Sequence, residues 1–200
     1  PYREAHERGR IVMNRCPWAT ISRQMIEYHD TEWGRPLFSD GKLFEALVLD
    51  CFQPGLSWAI ILSKRENFRK AFGGFRAEKI AKYDTKKVRA LLNDSGIVRN
   101  RLKIEAAIEN AKAFLETRKE YKTFAKYFWG FVDEKPIQNA WKGIKSIPKK
   151  TRLSEKISSD MKKRGFRFVG PTTIYAYMQG VGMVNDHVAS CFRHKEVGIE

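Results

Sequence analysis

The sequence predicts an all-α fold built as one domain over residues 1–200. Apolar residues recur every three or four positions in six segments, and no segment alternates apolar and polar residues as a half-buried strand does. Hydrophobic residue types make up 42% of the chain, which is enough to bury a core. Disorder and collagen-like repeats are therefore excluded.

The first two helices are predicted over residues 39–51 and 57–72. Leu43 and Leu47 fall on one face of the first helix, and Ser57 supplies an N-cap to the second, which continues through Ile61. The residues before these helices show no sustained period. We expect them to form a small irregular lobe.

Four more helices are predicted over residues 84–94, 100–118, 121–132 and 154–164. Asp84 caps the first of these and Gly96 ends it, while Gly165 ends the last. Residues 133–150 contain prolines and glycines without a period, so they are predicted to form a long basic connection.

Positive charge is concentrated in one part of the chain. The 38 Lys and Arg residues outnumber the 23 Asp and Glu residues, for a net charge of +15. Between residues 142 and 167 there are ten basic residues against Glu155 and Asp160, which leaves +8 in that segment alone. Such clustering favours a nucleic-acid phosphate backbone as the partner over charge that serves solubility alone.

Cysteine content and hydropathy predict a cytoplasmic chain. The cysteine count is three, which is odd and too sparse for a disulfide framework. No run of about 18 apolar residues is present, and the first ten residues lack the apolar region of a secretory signal. We expect a monomer with no membrane partner.

Two cysteines and two histidines near the two ends of the chain could form a metal site: Cys16, His29, His187 and Cys191. The spacing of His187 and Cys191 would place both on one face of a helix, and two Cys with two His form a closed tetrahedral zinc set. His6 and His194 are alternative ligands. Packing without a metal is the alternative explanation of the pair.

Residues 162–173 have the pattern of a helix, a short hairpin and a second helix. Gly165 would end the first helix, and Pro171 fits the first turn of the second. Free amide groups at that helix start can bind a DNA phosphate. The predicted DNA contacts here are Lys162, Lys163, Arg164, Gly170, Thr172 and Thr173. The alternative is an ordinary turn with solvated basic side chains.

Two aromatic loops suggest a pocket for a base that has left the DNA stack. Tyr28, Trp33 and Trp58 lie in or beside segments with Gly or Pro, and Leu56 could fill the vacated stack. Asp50 lies near a predicted helix C-terminus, where the helix dipole disfavours a carboxylate. A carboxylate at such a position suggests a functional role. For the aromatic residues, the simpler interpretation is that the tryptophans cap the apolar core.

Taken together, seven segments of the sequence resemble the DNA-3-methyladenine glycosylase I family: Arg15–Trp18, Tyr28–Gly34, Gly55–Trp58, Lys64–Asn67, Gly96–Arg101 with Lys103, Lys163–Gly170 and Met183–Val188. The resemblance implies a helix-hairpin-helix DNA glycosylase fold with a zinc-clasped terminal lobe. In that arrangement, residues 15–50 pack on a C-terminal helix over residues 183–194 through one structural zinc ion, and residues 51–182 form the helical bundle.

The resemblance also implies roles for the site residues. Zinc would be held by Cys16, His29, His187 and Cys191. Tyr28 and Trp58 would stack on the base, and Trp33 would support the carboxylate. Trp18 and Gln53 would complete the substrate pocket, while Leu56, with Gly55 beside it, would enter the DNA duplex.

Three positions depart from the family pattern. Asp50 stands where the family carries Glu, so the carboxylate is one methylene shorter. Met25 replaces a Tyr, and Pro171 replaces a Ser or Thr. The first departure bears on substrate choice, and the other two bear on affinity.

The predicted function is that of a monofunctional glycosylase that hydrolyses the glycosidic bond of 3-methyladenine in double-stranded, alkylated DNA. Asp50 is the main catalytic candidate. Asn185 falls at the place of the catalytic Asp of related enzymes, and a shift of one residue would place Asp186 there, so Asp186 is the second candidate. No Lys precedes the hairpin where bifunctional relatives form a Schiff base. A lesion-binding protein without turnover is the alternative function, and an RNA-binding protein is disfavoured because no RNA-module motif is present.

Overall fold

The structure is a computed structural model that describes residues 13–197. Within this range the chain forms ten α-helices, four short 3-10 helices (Pro17–Ile21, Gly73–Phe75, Gly130–Val132 and Ile144–Ser146) and one pair of short strands. The helices are α1 (Arg23–Thr31), α2 (Asp40–Phe52), α3 (Trp58–Ala71), α4 (Ala77–Ile80), α5 (Thr85–Asn93), α6 (Arg101–Tyr121), α7 (Phe124–Trp129), α8 (Arg152–Lys163), α9 (Pro171–Gly180) and α10 (Arg193–Glu196). The strands are β1 (Ile137–Gln138) and β2 (Val184–Asn185). The predicted all-α class is confirmed.

Helix α2 lies at the centre of the main apolar core. It packs against α3, α6, α7 and α9, and its residues from Leu47 to Phe52 are all buried. Aromatic contacts join these helices: the rings of Phe44 and Phe114 are 4.8 Å apart, as are those of Phe128 and Tyr177. The C-terminal turn of α2 is therefore held on several sides, and this turn carries Asp50.

A second, smaller apolar cluster lies at the N-terminal end of the described chain. It joins α1 and α3 to residues near the C-terminus, through Met25, Tyr28, Leu62 and Val188 among others. The expectation of an irregular lobe is wrong for residues 23–31, which form α1. Ser22 is the N-cap of this helix, and its hydroxyl accepts a hydrogen bond from the Met25 amide.

The caps predicted at Ser57 and Asp84 are present. Ser57 caps α3 and Asp84 caps α5, each by accepting a hydrogen bond from an amide in the first turn. Asn100, which was not predicted as a cap, caps α6 in the same way. The predicted helix over residues 121–132 begins later, because α6 continues to Tyr121 and α7 starts after a new cap at Thr123. The predicted helix at 154–164 begins earlier, since Thr151 is its N-cap.

The predicted C-terminal helix over residues 183–194 is wrong. Val184 and Asn185 pair in parallel with Ile137 and Gln138, and turns follow until α10. Before β2, Gly182 has φ +74°, and a β-carbon there would lie 2.2 Å from the carbonyl carbon of Arg35. The chain therefore turns sharply after α9. A two-residue strand is too short to show an alternation of apolar and polar residues, so no sequence pattern predicts it.

None of the helices in residues 13–197 combines the length and hydropathy needed to cross a lipid bilayer.

Candidate functional site

The four predicted metal ligands meet in one buried cluster. The ligand atoms of Cys16, His29, His187 and Cys191 lie within 4.8 Å of one another. His187 Nδ1 is 3.2 Å from His29 Nε2 and 3.6 Å from each sulfur. A tetrahedral zinc ion, about 2.3 Å from sulfur and about 2.0 Å from nitrogen, requires separations of roughly 3.3 to 3.8 Å. The cluster could therefore bind a metal ion.

Outer contacts orient both histidines for such an ion. His29 Nδ1 lies 2.7 Å from Asp30 Oδ1, and Arg15 holds the same carboxylate through two nitrogens. His187 Nε2 lies 3.1 Å from the carbonyl oxygen of Trp33, to which it can only donate. His29 thus presents Nε2 to the cluster and His187 presents Nδ1, as in metal sites whose ligand tautomers are fixed by hydrogen bonds.

The two sulfurs of the cluster shift each other's pKa. The hydrogen bond with Cys191 raises the pKa of Cys16, and the same bond lowers the pKa of Cys191. The lowered pKa favours the thiolate form of Cys191. A thiolate is the form of Cys that ligates metals.

His187 and Cys191 were predicted to lie on one face of a helix. That prediction is wrong, although both side chains do reach the metal cluster. Both residues lie in turns, and the amide of Cys191 donates to the Val188 carbonyl. Of the alternative ligands, His194 bonds to the carbonyl of Asn139 through Nε2 at 2.7 Å, away from the cluster. His6 lies outside the described residues.

A cavity of about 560 Å³ opens beside the metal cluster. Four aromatic residues predicted for the pocket line it: Trp18, Tyr28, Trp33 and Trp58. The rings of Tyr28 and Trp58 are 5.5 Å apart, and Trp33 packs edge-on against His187 at 4.6 Å. The metal cluster therefore supports one wall of the cavity. Gln53, which was predicted for the pocket, also lines the cavity, as do Met25 and Thr172, the latter predicted as a DNA contact.

Asp50 supplies the only carboxylate among the described residues that line this cavity. Asp50 is 6% exposed, and burial raises the pKa of its carboxyl group well above the usual value. No group within residues 13–197 offsets this burial by a hydrogen bond or a positive charge. A buried carboxylate without a protein partner favours a ligand that brings a positive charge or hydrogen-bond donors.

The loop that carries Leu56 is a tight turn at the cavity edge. The amide of Leu56 donates to the carbonyl of Gln53 at 2.7 Å. Pro54 and Gly55 occupy its centre, and the φ of +87° at Gly55 requires glycine, as in a type II turn. Leu56 is half-buried, at the point from which a side chain could enter DNA.

Lys103 fixes this turn from the neighbouring helix. Its Nζ donates to the carbonyl of Phe52 at 2.8 Å and to that of Pro54 at 2.6 Å. The residue is 7% exposed, and burial lowers its pKa. Lys103 belongs to one of the motifs in the sequence, but the motif did not indicate this role.

The hairpin between α8 and α9 has the predicted form. Gly165 has φ +94° and Phe168 has φ +56°, and Gly170 is the N-cap of α9 without a side-chain capping bond. The amides of Thr172 and Thr173 lie in the first turn, where helical amides lack helix partners. Lys162 and Lys163 are exposed beside the hairpin.

Arg164 has a different environment from Lys162 and Lys163. Its guanidinium bonds to Glu120 at 2.6 Å and to Asp160 at 2.8 Å, and it lies 4.9 Å from the ring centre of Tyr127. These contacts tie α8 to α6 and α7. We therefore remove Arg164 from the expected phosphate contacts.

Asp186, the second catalytic candidate, does not line the cavity. It is fully buried and accepts hydrogen bonds from four side chains. Two of these donors, Tyr175 and Gln179, do line the cavity. Asp186 is therefore placed to act through its neighbours and not by contact with a substrate.

Sequence reasoning missed part of the cavity wall. Ile144, Ile147, Pro148 and Lys149 line it from the predicted basic connection, which has no period that could indicate this. Tyr175 and Gln179 line it from α9. Their spacing of four on one helix was the available signal.

The hairpin-linked helices α8 and α9, packed beside an aromatic cavity, define a helix-hairpin-helix DNA glycosylase. The chain matches the family described as methyladenine glycosylase over residues 18–194. The DNA-3-methyladenine glycosylase of Haemophilus influenzae is 46% identical over 180 residues, which cover 90% of this chain and 97% of that protein. The chain therefore belongs to the DNA-3-methyladenine glycosylase I family, as the sequence motifs predict.

Two further relatives agree. DNA-3-methyladenine glycosylase 1 of Escherichia coli is 42% identical over 179 residues, covering 90% of this chain and 96% of that one. A tyrosine-to-phenylalanine variant of a 3-methyladenine DNA glycosylase I, solved in complex with 3-methyladenine, has a TM-score of 0.87. It is 31% identical, with 90% of this chain and 97% of that chain covered.

Proposed function

We propose that this protein is a monofunctional DNA glycosylase that hydrolyses the N-glycosidic bond of 3-methyladenine in alkylated double-stranded DNA. The observation that carries the proposal is the buried carboxylate of Asp50, which lies in an aromatic cavity without a protein partner. A methylated purine supplies what that carboxylate lacks, because the base carries a positive charge and hydrogen-bond donors. Membership of the family supports the same conclusion.

The cavity residues perform the recognition. Tyr28 and Trp58 are placed to stack on the extruded base, and Asp50 accepts hydrogen bonds from its edge. N3-methylation makes adenine a good leaving group, so strong acid catalysis is unnecessary. The negative charge of Asp50 stabilises the positive charge that spreads onto the sugar as the bond breaks. Trp18, Trp33 and Gln53 complete the cavity and exclude water from the base.

The metal cluster would hold one structural zinc ion per chain. Cys16, His29, His187 and Cys191 would supply all four ligands of a tetrahedral ion, which leaves no position for a substrate or water. With zinc bound, these four residues would cross-link the N-terminal lobe to the chain just before α10. The four protein ligands thereby fix Trp33, which packs on His187 at the cavity wall.

The DNA surface comprises the hairpin and the Leu56 turn. The first-turn amides of α9, at Thr172 and Thr173 after Gly170, bind a backbone phosphate, and Lys162 and Lys163 contact the flanking backbone. Leu56, beside Gly55, fills the space that the extruded base leaves. The protein acts as a cytoplasmic monomer, since three cysteines are too few for a disulfide framework and residues of one chain line the whole cavity.

The two exposed lysines predict a change in the salt dependence of DNA binding. Replacing Lys162 and Lys163 together by Ala should lower the slope of log K against log salt by about 1.8, because each phosphate contact contributes about 0.9. Fluorescence anisotropy with duplex DNA over a range of salt concentrations measures the slope. The same charge change on α5, Lys86→Ala with Lys87→Ala, is the control. An equal slope for both double variants would refute the predicted contacts.

Lys103→Met should lower both stability and activity. It leaves the carbonyls of Phe52 and Pro54 without a donor, which costs about 1–3 kcal/mol, and it loosens the Leu56 turn. We expect kcat/KM for base release to fall about tenfold. Lys64→Met is the matched control, because Lys64 bonds to the carbonyls of Ser95 and Gly96 instead. Calorimetry and release kinetics on both variants test the difference, and an equal loss of activity would contradict the role of Lys103.

Chromatography of the bases released from methylated duplex DNA tests the proposed function. Release of 3-methyladenine at micromolar enzyme is the expected result, with the DNA strand left uncut. The shortened carboxylate at residue 50 raises one alternative, a protein that binds alkylated DNA without turnover. Tight, salt-sensitive DNA binding without any released base would replace the proposed function with that alternative.

A further inference from the structure

A fully buried carboxylate behind the cavity organises two residues of its wall. Asp186 accepts hydrogen bonds on Oδ1 from Asn139 and Trp141, both at 2.7 Å. On Oδ2 it accepts from the hydroxyl of Tyr175 at 2.6 Å and from Nε2 of Gln179 at 2.8 Å. All four partners donate, and a carboxylate only accepts. Asp186 thus joins the segment after β1 to helix α9.

This network determines the orientation of the Gln179 side-chain amide. Because Asp186 can only accept, the amide nitrogen of Gln179 must face it, and the amide oxygen must face the other way. Gln179 is half-buried and lines the cavity, and no described residue donates to its oxygen. Burial raises the pKa of Tyr175, so its hydroxyl keeps the proton that it donates. The cavity therefore contains a second oriented acceptor besides Asp50.

We propose that Gln179 is a specificity-determining residue, whose amide oxygen accepts a hydrogen bond from the exocyclic amino group of the extruded purine. Asp186 is its positioning residue. The inference rests on the proposed function and adds to it a basis for choosing between alkylated bases.

The hydrogen-bonding groups on the purine edge determine which alkylated base the site prefers. The amino group of adenine carries two hydrogens, so Asp50 and Gln179 can each accept one. Guanine has a carbonyl oxygen at that position, which cannot donate and would meet an acceptor instead. An unpaired or repelled polar group in a buried site is strongly rejected. A correctly oriented Gln179 therefore favours 6-amino purines over 6-oxo purines.

Gln179→Met tests the inference, because Met keeps the length of the side chain without its oxygen. We expect kcat/KM for 3-methyladenine release to fall about tenfold, while release of 3-methylguanine from the same methylated DNA stays constant or rises. The ratio of the two rates is the readout. A residue that only supports the cavity would lower both rates equally, and an unchanged ratio overturns the inference.

Two changes at the buried network separate positioning from stability. The side-chain amide of Asp186→Asn can donate to Gln179, so the Gln179 amide can flip by 180° and turn its oxygen away from the base. The ratio of 3-methyladenine to 3-methylguanine release should therefore fall. Trp141→Phe removes one donor to Asp186 on the side away from α9, so it should lower Tm and keep the ratio. A fall in the ratio for Trp141→Phe as large as that for Asp186→Asn would contradict the positioning role.

Failure of the proposed function gives a distinct result. If the wild-type protein releases neither base, the glycosylase activity is refuted. Titration with free 3-methyladenine and free 3-methylguanine then tests Gln179. A selective loss of 3-methyladenine affinity in Gln179→Met supports the inference, and equal affinities in wild type and variant overturn it.

Discussion

Asp50→Asn should lower the rate of 3-methyladenine release by about 100- to 1000-fold, which is the size of effect that loss of one preorganised electrostatic group produces. The side chain keeps its size and its place in the cavity, but it loses its charge. The cationic base and the developing charge on the sugar then lose their stabilising partner. Single-turnover kinetics at saturating enzyme isolate this step from DNA binding.

Asp50→Glu is the matched control for this variant. Glu is the residue that the family pattern carries at this position, and it restores one methylene while keeping the charge. We expect it to retain activity within about tenfold of wild type. Equal activities of wild type, Asp50→Asn and Asp50→Glu would show that the charge is not used in the reaction.

The stability of Asp50→Asn should change in the opposite direction from its activity. The pKa of Asp50 is raised by burial, so the folded protein holds this proton at pH values where the unfolded chain has lost it. The free energy of unfolding of the wild type therefore falls as pH rises from about 4, the ordinary pKa of Asp, to the raised value. Asp50→Asn has no ionisable group at this position, so its free energy of unfolding does not fall for this reason as pH rises. Its Tm should exceed that of the wild type by about 2 °C or more at neutral pH, and the difference should shrink toward pH 4.

Cys16→Ser should remove the metal and destabilise the fold. Loss of one of four ligands opens the cross-link between the two ends of the described chain, so we expect Tm to fall by about 10 °C, or about 3 kcal/mol for a chain of this size. Elemental analysis should find one zinc per chain in the wild type and none in the variant.

Cys51→Ser is the control for the metal prediction. Cys51 is also a buried free thiol, but it lies in the core beside Asn110 and the carbonyl of Arg167. It should keep its zinc and lose much less stability than Cys16→Ser. Less than a trace of zinc in the wild type, or the same Tm loss in both variants, would count against the metal site.

The sequence predicted those parts of the fold that depend on local patterns. Ser57 and Asp84 cap helices as the sequence predicts, because capping requires only a side-chain oxygen and nearby amides. The strand pair β1–β2 and the turns that follow it depend on contacts between residues about 47 positions apart. No local pattern encodes such contacts, and a helix was predicted there instead.

The candidate site likewise combines residues that the sequence predicts with residues that only the folded structure reveals. The resemblance of seven segments to the family identified the four possible metal ligands and the aromatic residues, whereas composition and spacing alone left packing as the alternative. The contributions of Lys103, Lys149 and Gln179 depend on which carbonyl, cavity or carboxylate each one reaches. Those partners are distant in sequence, and only the folded chain brings them together.

The structure of the protein bound to free 3-methyladenine tests the central claim most directly. We predict that the base lies between Tyr28 and Trp58, with a carboxylate oxygen of Asp50 within about 3 Å of a nitrogen on its edge. A base bound elsewhere, or one in the cavity whose edge faces away from Asp50, would contradict the account.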